Sequence, residues 1–287
     1  MAAPMAASAS LQHFRVTAPA PSVAHVEINR PAKLNAFFEP MWLELRAVFA
    51  ALSTDPDVRV VVLSGAGDRA FTAGLDVQAA SQASPALGPP GVKPLDGART
   101  AARIRRHVTE FQDCVSAVER CEKPVICVLH GISYGLAIDL ACCADVRICA
   151  ADARLAVKEV DIGLAADIGT LSRLPKAVGS ASWVKDVCLS ARVFGADEAQ
   201  AVGFVSQVHP HKAAAVGAAV AWAALVADKS PVAVQGTKEI LNHARDHPVT
   251  ESLRYTTIWN AANLQSDDIQ AALLSGLKKT RPTFEKL

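Results

Sequence analysis

Three carboxylates lie close together in the sequence. Asp139, Glu159 and Asp167 are separated by twenty and eight residues, and apart from Lys158 the neighbours of Glu159 and Asp167 are apolar. A carboxylate among such residues is either a paired structural charge or a group whose pKa is raised enough for it to transfer protons. The spacing alone leaves both interpretations open.

Two apolar segments each end in a turn that contains glycine. Residues 58–63 lead to Thr72-Ala73-Gly74-Leu75-Asp76, and residues 124–129 lead to the turn from Gly131 to Ala137. Backbone amides freed at such turns carry a partial positive charge, especially where a helix begins. Two of them brought together would form an oxyanion hole for a carbonyl that acquires negative charge. The alternative is that each glycine only lets the chain turn.

The second turn also contains the pattern Gly-x-Ser-x-Gly, with Ser133 in the position of a hydrolase nucleophile. Aspartates, His209 and His211 follow in the order that an α/β-hydrolase needs, but no HGGG-type segment precedes the turn. We therefore interpret Ser133 as a small packing residue. We interpret His130, at the end of the strand, as a structural histidine.

The surrounding patterns predict the elements that must position these residues. Predicted strands are 23–29, 58–65, 124–131 and 145–150, and predicted helices are 40–53, 99–121 and 135–144. Residues 78–98, rich in Ser, Pro and Gly, are predicted to form a mobile loop that helps to close the site. Beyond about residue 180 the pattern is helical, apart from a strand within 204–210. Strand–turn–helix units followed by helices indicate an α/β core with a helical appendage.

Composition narrows the class of protein. Half of the 287 residues are apolar, a fifth are charged and the net charge is +1, which argues against global disorder and against nucleic acid as the main partner. The apolar run 213–227 is shorter than a membrane crossing requires. Seven cysteines without a CxxC pair are predicted to be reduced, buried and structural. No cluster of metal ligands is visible, so we expect no metal.

Five segments resemble the hallmark motifs of one family, in the family's order. They are NRPAKLNAF (29–37), AFTAGLD (70–76), EKPVICVLHGISYGLAIDLACCADVRI (122–148), LAVKEVDIGLAADIGTLSRLPKAVG (155–179) and ADEAQAVGFVSQV (196–208). The chain resembles the enoyl-CoA hydratase/isomerase superfamily, which has the crotonase fold, over about residues 20–280. The resemblance implies a flexible tail (1–20), an α/β crotonase-type spiral core of ββα units (21–211) and a C-terminal helical oligomerisation region (212–287).

Within that superfamily the carboxylates are similar to those of Δ3,5-Δ2,4-dienoyl-CoA isomerases. That group has Asp, Glu and Asp at the positions of Asp139, Glu159 and Asp167. Hydratases have Glu at the first position and a small residue at the third, so Asp167 discriminates between the two. The resemblance implies conversion of a 3,5-dienoyl-CoA to a 2,4-dienoyl-CoA in fatty acid β-oxidation. Asp167 would take a proton from C2, Glu159 would deliver one to C6, and Asp139 would orient the pair.

The resemblance also implies how the thioester is bound. The amides of Leu75 and Leu136 would form the oxyanion hole, and the substrate would lie against Ala73, Gly74, Leu75, Asp76, Val77 and Leu136. The chain departs from the family at Gly135-Leu136-Ala137, where three glycines are usual. If this turn needed a positive φ at Leu136, the backbone would be strained there.

Several expectations complete the prediction. No cofactor is needed apart from the CoA of the substrate, and the partners are a fatty acyl-CoA and further copies of the chain in a trimer or hexamer. Four cationic residues are candidates for phosphate binding, with surface charge the favoured interpretation: Lys33, Arg103, Arg105 and Arg106. The final Glu285-Lys286-Leu287 is similar to the peroxisomal Ser-Lys-Leu signal, with mitochondrial or cytoplasmic location as alternatives.

Other activities fit the same motifs. A plain enoyl-CoA hydratase or a Δ3-Δ2-enoyl-CoA isomerase would share Glu159 without needing Asp167. A non-catalytic crotonase-fold scaffold, or an RNA-associated relative, is the alternative from a different class. The near-neutral charge argues against RNA, and the three carboxylates argue against an inactive scaffold.

Overall fold

The computed structural model describes residues 11–82 and 95–287 and contains two β-sheets wrapped by helices. The strands are β1 (Phe14–Ala20), β2 (Val23–Ile28), β3 (Val60–Gly65), β4 (Ala70–Thr72), β5 (Val125–Leu129), β6 (Ile132–Tyr134), β7 (Val146–Ala150), β8 (Arg154–Ala156), β9 (Phe194–Gly195) and β10 (Gln207–His209). The helices are α1 (Glu39–Thr54), α2 (Val77–Gln82), α3 (Gly97–Arg120), α4 (Leu136–Cys143), α5 (Thr170–Ala177), α6 (Ala181–Ser190), α7 (Ala196–Ala201), α8 (Lys212–Ala227), α9 (Pro231–Asp246), α10 (Val249–Asn263) and α11 (Asp267–Lys278).

The larger sheet has six strands in the order β1-β2-β3-β5-β7-β10. From β2 to β10 the neighbours are parallel, and β1 is antiparallel at the edge. Every residue of β3 and β5 is buried, and apart from Ser64 and Gly65 both strands are apolar, as expected of parallel strands covered on both faces.

The smaller sheet has four strands in the order β4-β6-β8-β9. β3, β5 and β7 of the large sheet are each followed, after a short turn, by a strand of the small sheet and then by a helix. The chain therefore winds through successive ββα units, as the predicted spiral core requires. Sequence patterns did not predict the strands of the small sheet, because each has only two or three residues.

Residues 14–20 correct the predicted N-terminal tail. They form β1, which pairs with β2 from Phe14 opposite Ile28 to Ala20 opposite Val23. Phe14 and Val16 are buried while Arg15 is exposed, an alternation typical of a strand with one face on the core. The ordered core thus begins before residue 21.

The prediction of a loop over 78–98 is wrong at both of its ends. Its first residues form α2, and α3 begins at Gly97, where the carboxylate of Asp96 accepts a hydrogen bond from the Arg99 amide and caps the helix. Residues 83–94 lie outside the described part of the chain.

α8 packs on the protomer's own large sheet. Its buried residues, Ala215, Ala219, Ala223 and Ala227, recur every four positions and form one face of the helix. These small side chains lie against a cluster of β-branched residues that includes Val60, Val62 and Ile126. The first helix of the region expected to mediate oligomerisation therefore completes the core of the protomer.

The last two helices leave large apolar side chains exposed. Leu253 and Ile258 of α10 and Leu273 and Leu277 of α11 are between 62% and 83% exposed. Among the described helices, none is by itself long and apolar enough to cross a membrane. α8 and α9 meet that test only as a pair, with a bend of 111° between them.

Candidate active site

Three parallel strands of the small sheet bring the predicted site residues to one edge. β4 pairs with β6, and β6 pairs with β8, all in the same direction. Their carboxyl ends lead to Gly74, to Gly135 and to Glu159 respectively. The amide of Gly135 donates to the carbonyl of Ala156 over 2.9 Å, which holds the middle turn beside the third. Segments that are far apart in sequence therefore meet.

Gly74 and Gly135 allow the first two turns to approach each other closely. Gly74 has φ +91°, and a Cβ there would lie 2.9 Å from the carbonyl oxygen of Tyr134 and 3.6 Å from the nitrogen of Leu136. Gly135 has φ +54° and ψ −113°, a region open essentially to glycine alone. Because Gly135 takes the positive φ, Leu136 begins α4 with helical backbone. The strain considered for Leu136 does not arise.

Two amides at these turns are free. Leu136 is the first residue of α4, so its N–H has no partner within the helix. In the described part of the chain, neither this amide nor that of Leu75 donates a hydrogen bond to another protein group. The Ala137 side chain packs in the core, whereas Leu136 borders the cavity described next. The two amides can thus donate to a ligand oxygen.

A cavity of about 680 Å³ lies in front of the two turns. Its lining includes every residue predicted to bind or transform the substrate: Ala73, Gly74, Leu75, Asp76, Val77, Leu136, Asp139, Glu159 and Asp167. The volume is within the range of pockets that hold small molecules. The structure therefore brings the predicted residues to a single cavity.

Glu159 lies three residues after the end of β8 and begins a single turn of 3-10 helix. Its Oε2 is buried and accepts no hydrogen bond from the described residues. Burial, followed by the negative charge of Asp139, raises the pKa of Glu159 to about 7. A carboxyl group with this pKa holds a proton part of the time at neutral pH and can act as a general acid.

Asp139 is deeply buried on the first turn of α4. Its Oδ1 accepts two hydrogen bonds from Thr170, one from the backbone amide at 2.6 Å and one from the hydroxyl at 2.7 Å. Burial raises the pKa of Asp139 to about 6, although both bonds from Thr170 favour its ionised form and lower the pKa. Nothing in the sequence pattern indicated Thr170, because it is far from Asp139 along the chain.

Asp167 lies in the segment that precedes α5. Its side chain borders the cavity but is otherwise exposed to solvent in the single protomer, in contrast to the enclosed position expected from its apolar neighbours. Its backbone carbonyl accepts a hydrogen bond from Gln112 of α3 over 2.6 Å. α3 therefore fixes the backbone that carries this carboxylate.

Asp76 has a structural function in the first turn. Its carboxylate accepts a hydrogen bond from the Ala79 amide at the start of α2 and pairs with Arg30 at 2.8 Å. The bond from Ala79, followed by that from Arg30, lowers the pKa of Asp76. This ionised group anchors the turn that presents the Leu75 amide.

None of the four cationic residues predicted as candidates for phosphate binding lines the cavity: Lys33, Arg103, Arg105 and Arg106. All four are exposed. Arg105 and Arg106 border a separate surface depression together with Arg46. Their positions fit the surface-charge interpretation.

The structure argues against a hydrolase site at Ser133. The hydroxyl of Ser133 is fully buried and donates to the carbonyl of His130 over 3.3 Å. His209 contacts Gln207, and His211 accepts a hydrogen bond from the first turn of α8, so both histidines are engaged elsewhere. Burial lowers the pKa of His130 to about 4, and its Nε2 contacts the carbonyl of Gly67. Such a histidine is neutral and structural at pH 7.

Sequence analysis missed the aromatic end of the cavity. Trp42 of α1 stacks on Phe111 of α3, with ring centroids 3.9 Å apart, and His107 meets the edge of Trp42. All three residues line the cavity. The sequence predicts the helix over 40–53 that carries Trp42, but its partner Phe111 could not be found without the packing of α1 on α3.

The remaining predictions concern cysteines and metals. All seven cysteines are buried and unpaired. Within the described residues, no group of three or more His, Cys, Asp or Glu side chains is arranged to hold a metal ion.

A spiral of ββα units, with two free amides and three carboxylates on one cavity, defines the chain as a crotonase-fold protein. The sequence model of the enoyl-CoA hydratase/isomerase family matches residues 19–286, and the chain belongs to that family.

Similar proteins agree with this assignment. The chain is 45% identical to the human "Delta(3,5)-Delta(2,4)-dienoyl-CoA isomerase, mitochondrial" over 97% of its length and 84% of that protein. It is 38% identical to the peroxisomal protein of the same activity from Arabidopsis thaliana, over 93% of the chain and 94% of that protein. The solved enoyl-CoA hydratase from Bacillus anthracis superposes with a TM-score of 0.84 over 96% of the chain and 99% of that structure, at 24% identity, and shows the same fold.

Proposed function

We propose that this protein is an isomerase that converts 3,5-dienoyl-CoA thioesters to 2,4-dienoyl-CoA thioesters during fatty acid oxidation. The observation that carries the proposal is the single cavity that joins Glu159, Asp167 and Asp139 to the free amides of Leu75 and Leu136. The similarity to proteins named for this activity supports the choice of substrate.

The amides of Leu75 and Leu136 would stabilise the charge that develops on the thioester oxygen. Hydrogen bonds to this oxygen favour the dienolate and so acidify the proton on C2. Removal of one such donor typically lowers kcat by about 10²- to 10³-fold. No charged side chain is needed for this step, because the turns at Gly74 and Gly135 present both amides to the same cavity.

Two carboxylates would then move the protons. Asp167 takes a proton from C2 as the base, and Glu159 delivers a proton to C6 as the acid. The C3 and C5 double bonds become C2 and C4 double bonds, so atoms and charge balance without a redox cofactor. The pKa of Glu159, raised to about 7, suits this acid role. Asp139 contributes the charge that keeps the proton on Glu159.

The direct test mixes the purified protein with a 3,5-dienoyl-CoA and follows the absorbance of the conjugated dienoyl thioester, with a 2-enoyl-CoA as the control substrate. We expect the dienoyl product with the wild-type protein. Asp167→Asn and Glu159→Gln should each lower the rate by about 10²- to 10⁴-fold without loss of the folded state. Wild-type rates in both variants would refute the assigned roles.

The 2-enoyl-CoA control addresses the nearest alternative. A hydratase or a Δ3-Δ2-enoyl-CoA isomerase would need Glu159 but not Asp167. Hydration of the 2-enoyl-CoA at a rate far above that of 2,4-dienoyl-CoA formation would favour this alternative. Hydratase activity that is retained in Asp167→Gly would favour it further.

For the assembly, we propose a trimer or hexamer built through the C-terminal helices. The support is the exposed apolar surface of α10 and α11, where Leu273 and Leu277 are 66% and 83% exposed. Exposed apolar side chains of this kind are often covered by a partner when they form a contiguous patch. Light scattering should give a mass of three or six chains, and Leu273→Glu with Leu277→Glu should reduce it.

For the compartment, we propose the peroxisome. The support is the similarity of Glu285-Lys286-Leu287 to a peroxisomal signal. A fluorescent protein fused in front of the 287-residue chain should localise to peroxisomes, and deletion of these three residues should abolish that localisation. Mitochondrial localisation of the fusion that keeps these three residues would contradict the proposal.

A further inference from the structure

Thr170 is the one residue that donates hydrogen bonds to the buried carboxylate of Asp139 in the described part of the chain. Both donors reach the same oxygen, Oδ1. Thr170 itself is fully buried and does not line the cavity, so it does not touch a bound substrate. Any effect of Thr170 on the reaction must therefore pass through Asp139.

The position of α5 determines this contact. Thr170 is the first residue of α5, so its amide has no partner within the helix and is free to donate to a carboxylate. Arg173, one turn later, is bonded to Glu119 of α3 at 2.7 Å, which ties the start of α5 to the long helix α3. The Thr170 donors are thus held in place independently of the substrate.

We propose that Thr170 is a positioning residue that keeps Asp139 ionised and thereby keeps the transferable proton on Glu159. The inference rests on the proposed function for its catalytic consequence. The two hydrogen bonds stabilise the carboxylate form of Asp139, because a carboxylate accepts such bonds more strongly than a neutral acid does. The negative charge on Asp139 in turn disfavours a second negative charge on Glu159. Two donors of a residue outside the cavity therefore help to decide which of the two carboxyl groups holds the proton.

The charged groups around Asp139 and Glu159 are consistent with an ionised Asp139 and a protonated Glu159. Asp139 experiences the positive charge of Arg173 from α5, which also favours its ionised form, and the negative charge of Asp167. Glu159 experiences the negative charges of Asp139 and Asp167 and lies near the thiol of Cys188 on α6. Arg173 acts on Asp139 through space, whereas Thr170 bonds to it directly. Loss of the Thr170 hydroxyl alone should therefore raise the pKa of Asp139 and lower that of Glu159, which brings the two titrations closer together.

The test compares Thr170→Val with Thr170→Ser. Valine has nearly the shape of threonine and keeps the backbone bond but removes the hydroxyl bond, whereas serine restores a hydroxyl. Ser133→Ala is the matched control, because it also removes one buried hydroxyl but lies outside the cavity and contacts only a backbone carbonyl.

The first readout does not need activity. Carboxyl ¹³C NMR of protein labelled at Asp and Glu, with signals assigned through Asp139→Asn and Glu159→Gln, gives the titration of each group. In Thr170→Val we expect Asp139 to titrate about one unit or more higher and Glu159 to titrate lower than in the wild type. Thr170→Ser and Ser133→Ala should titrate as the wild type does. Unchanged titrations in Thr170→Val would overturn the proposal.

The second readout is the rate of 2,4-dienoyl-CoA formation as a function of pH. In Thr170→Val, kcat at pH 7–8 should fall about tenfold or more while KM stays unchanged, and the fall in rate with rising pH should begin at lower pH. Thr170→Ser should recover most of the rate. A loss that is equal at every pH and not recovered by serine would mean a merely structural role.

Failure of the proposed function can be told apart from failure of this inference. If the wild type forms no 2,4-dienoyl-CoA, the proposed function fails, and the NMR titration still decides the role of Thr170. If Thr170→Val does not fold, Thr170→Ala provides the same comparison.

Discussion

The carboxylate of Glu159 lies directly against Gly135, so that a Cβ on Gly135 would come within 3.1 Å of Oε1. The glycine that frees the Leu136 amide is thus also the residue that leaves room for the acid. One position therefore serves both the oxyanion hole and the proton transfer.

Gly135→Ala should therefore impair activity more than stability. The positive φ costs a residue with a side chain about 1–3 kcal/mol, and the new methyl group displaces the Glu159 carboxylate. We expect kcat to fall at least about 10²-fold, as for loss of an oxyanion donor. Gly179→Ala is the control, since a Cβ there meets nothing within 4 Å. Equal activity in the two variants, measured as diene formation, would contradict this account of the turn.

The rate of isomerisation should fall as the pH rises through about 7. Glu159 acts in its protonated form, and burial together with the charge of Asp139 places its pKa at about 7. Above this pH the acid is ionised, so the rate should decrease about tenfold per pH unit. Measurement of kcat between pH 5.5 and 9 decides the point. A rate that rises across pH 7 would show that the ionised form of Glu159 is the active one.

Asp139→Asn should stabilise the protein at neutral pH although it lowers activity. The folded-state pKa of Asp139, about 6, is above the ordinary value of 3.8, so the folded protein resists ionisation that the unfolded chain undergoes freely. The wild type therefore loses stability as the pH rises from about 4 to about 6, and the asparagine variant does not. The difference should reach about 3 kcal/mol above pH 6.

Denaturant unfolding of the wild type and of Asp139→Asn at pH 4 and pH 7.5 measures this difference. Asn can still accept both hydrogen bonds from Thr170 through its carbonyl oxygen, so the packing is preserved. Asp113→Asn, at an exposed position, is the control and should leave the pH dependence unchanged. A less stable Asp139→Asn at pH 7.5 would mean that the ionised carboxylate stabilises the fold.

Protonation of His130 in the unfolded chain should lower the free energy of unfolding under mildly acid conditions. Burial lowers its folded-state pKa to about 4 from the ordinary 6.5, so the unfolded chain binds a proton that the folded protein excludes. The stability contributed by neutral His130 is complete above pH 6.5 and is lost as the pH falls towards 4, by about 3 kcal/mol in all. In His130→Asn this loss should be absent. Parallel curves of unfolding free energy against pH for the two proteins would contradict the prediction.

Much of the large sheet and the helices could be predicted from the sequence. Runs such as Val60–Leu63 are read as buried strands because parallel strands covered on both faces must be apolar throughout. The small sheet could not be predicted, since β4, β6 and β8 are too short to show a period of two. Yet these strands bring the site together, because only their parallel pairing places the three turns side by side.

The site itself was predicted by residue type and family resemblance but not by environment. The sequence placed Asp167 among apolar neighbours, yet its side chain is exposed in the protomer while Asp139 is the deeply buried member. The burial of a side chain depends on which way its segment faces after packing. The neighbouring residues in the sequence do not determine this direction. Thr170 and the Trp42–Phe111 stack escaped prediction for the same reason, because each arises from contact between distant segments.

The most direct test of the two-carboxylate mechanism is the isomerisation of a 3,5-dienoyl-CoA in D₂O, with deuterium located in the product by NMR. Glu159 exchanges its proton with solvent, so the product formed in D₂O should carry deuterium at C6. In the converse experiment, a substrate with deuterium at C2 is isomerised in H₂O, and the deuterium should be released to the solvent. Glu159→Gln should abolish deuterium incorporation at C6. Diene formation with no solvent deuterium at C6, or unchanged incorporation in Glu159→Gln, would contradict transfer through this acid.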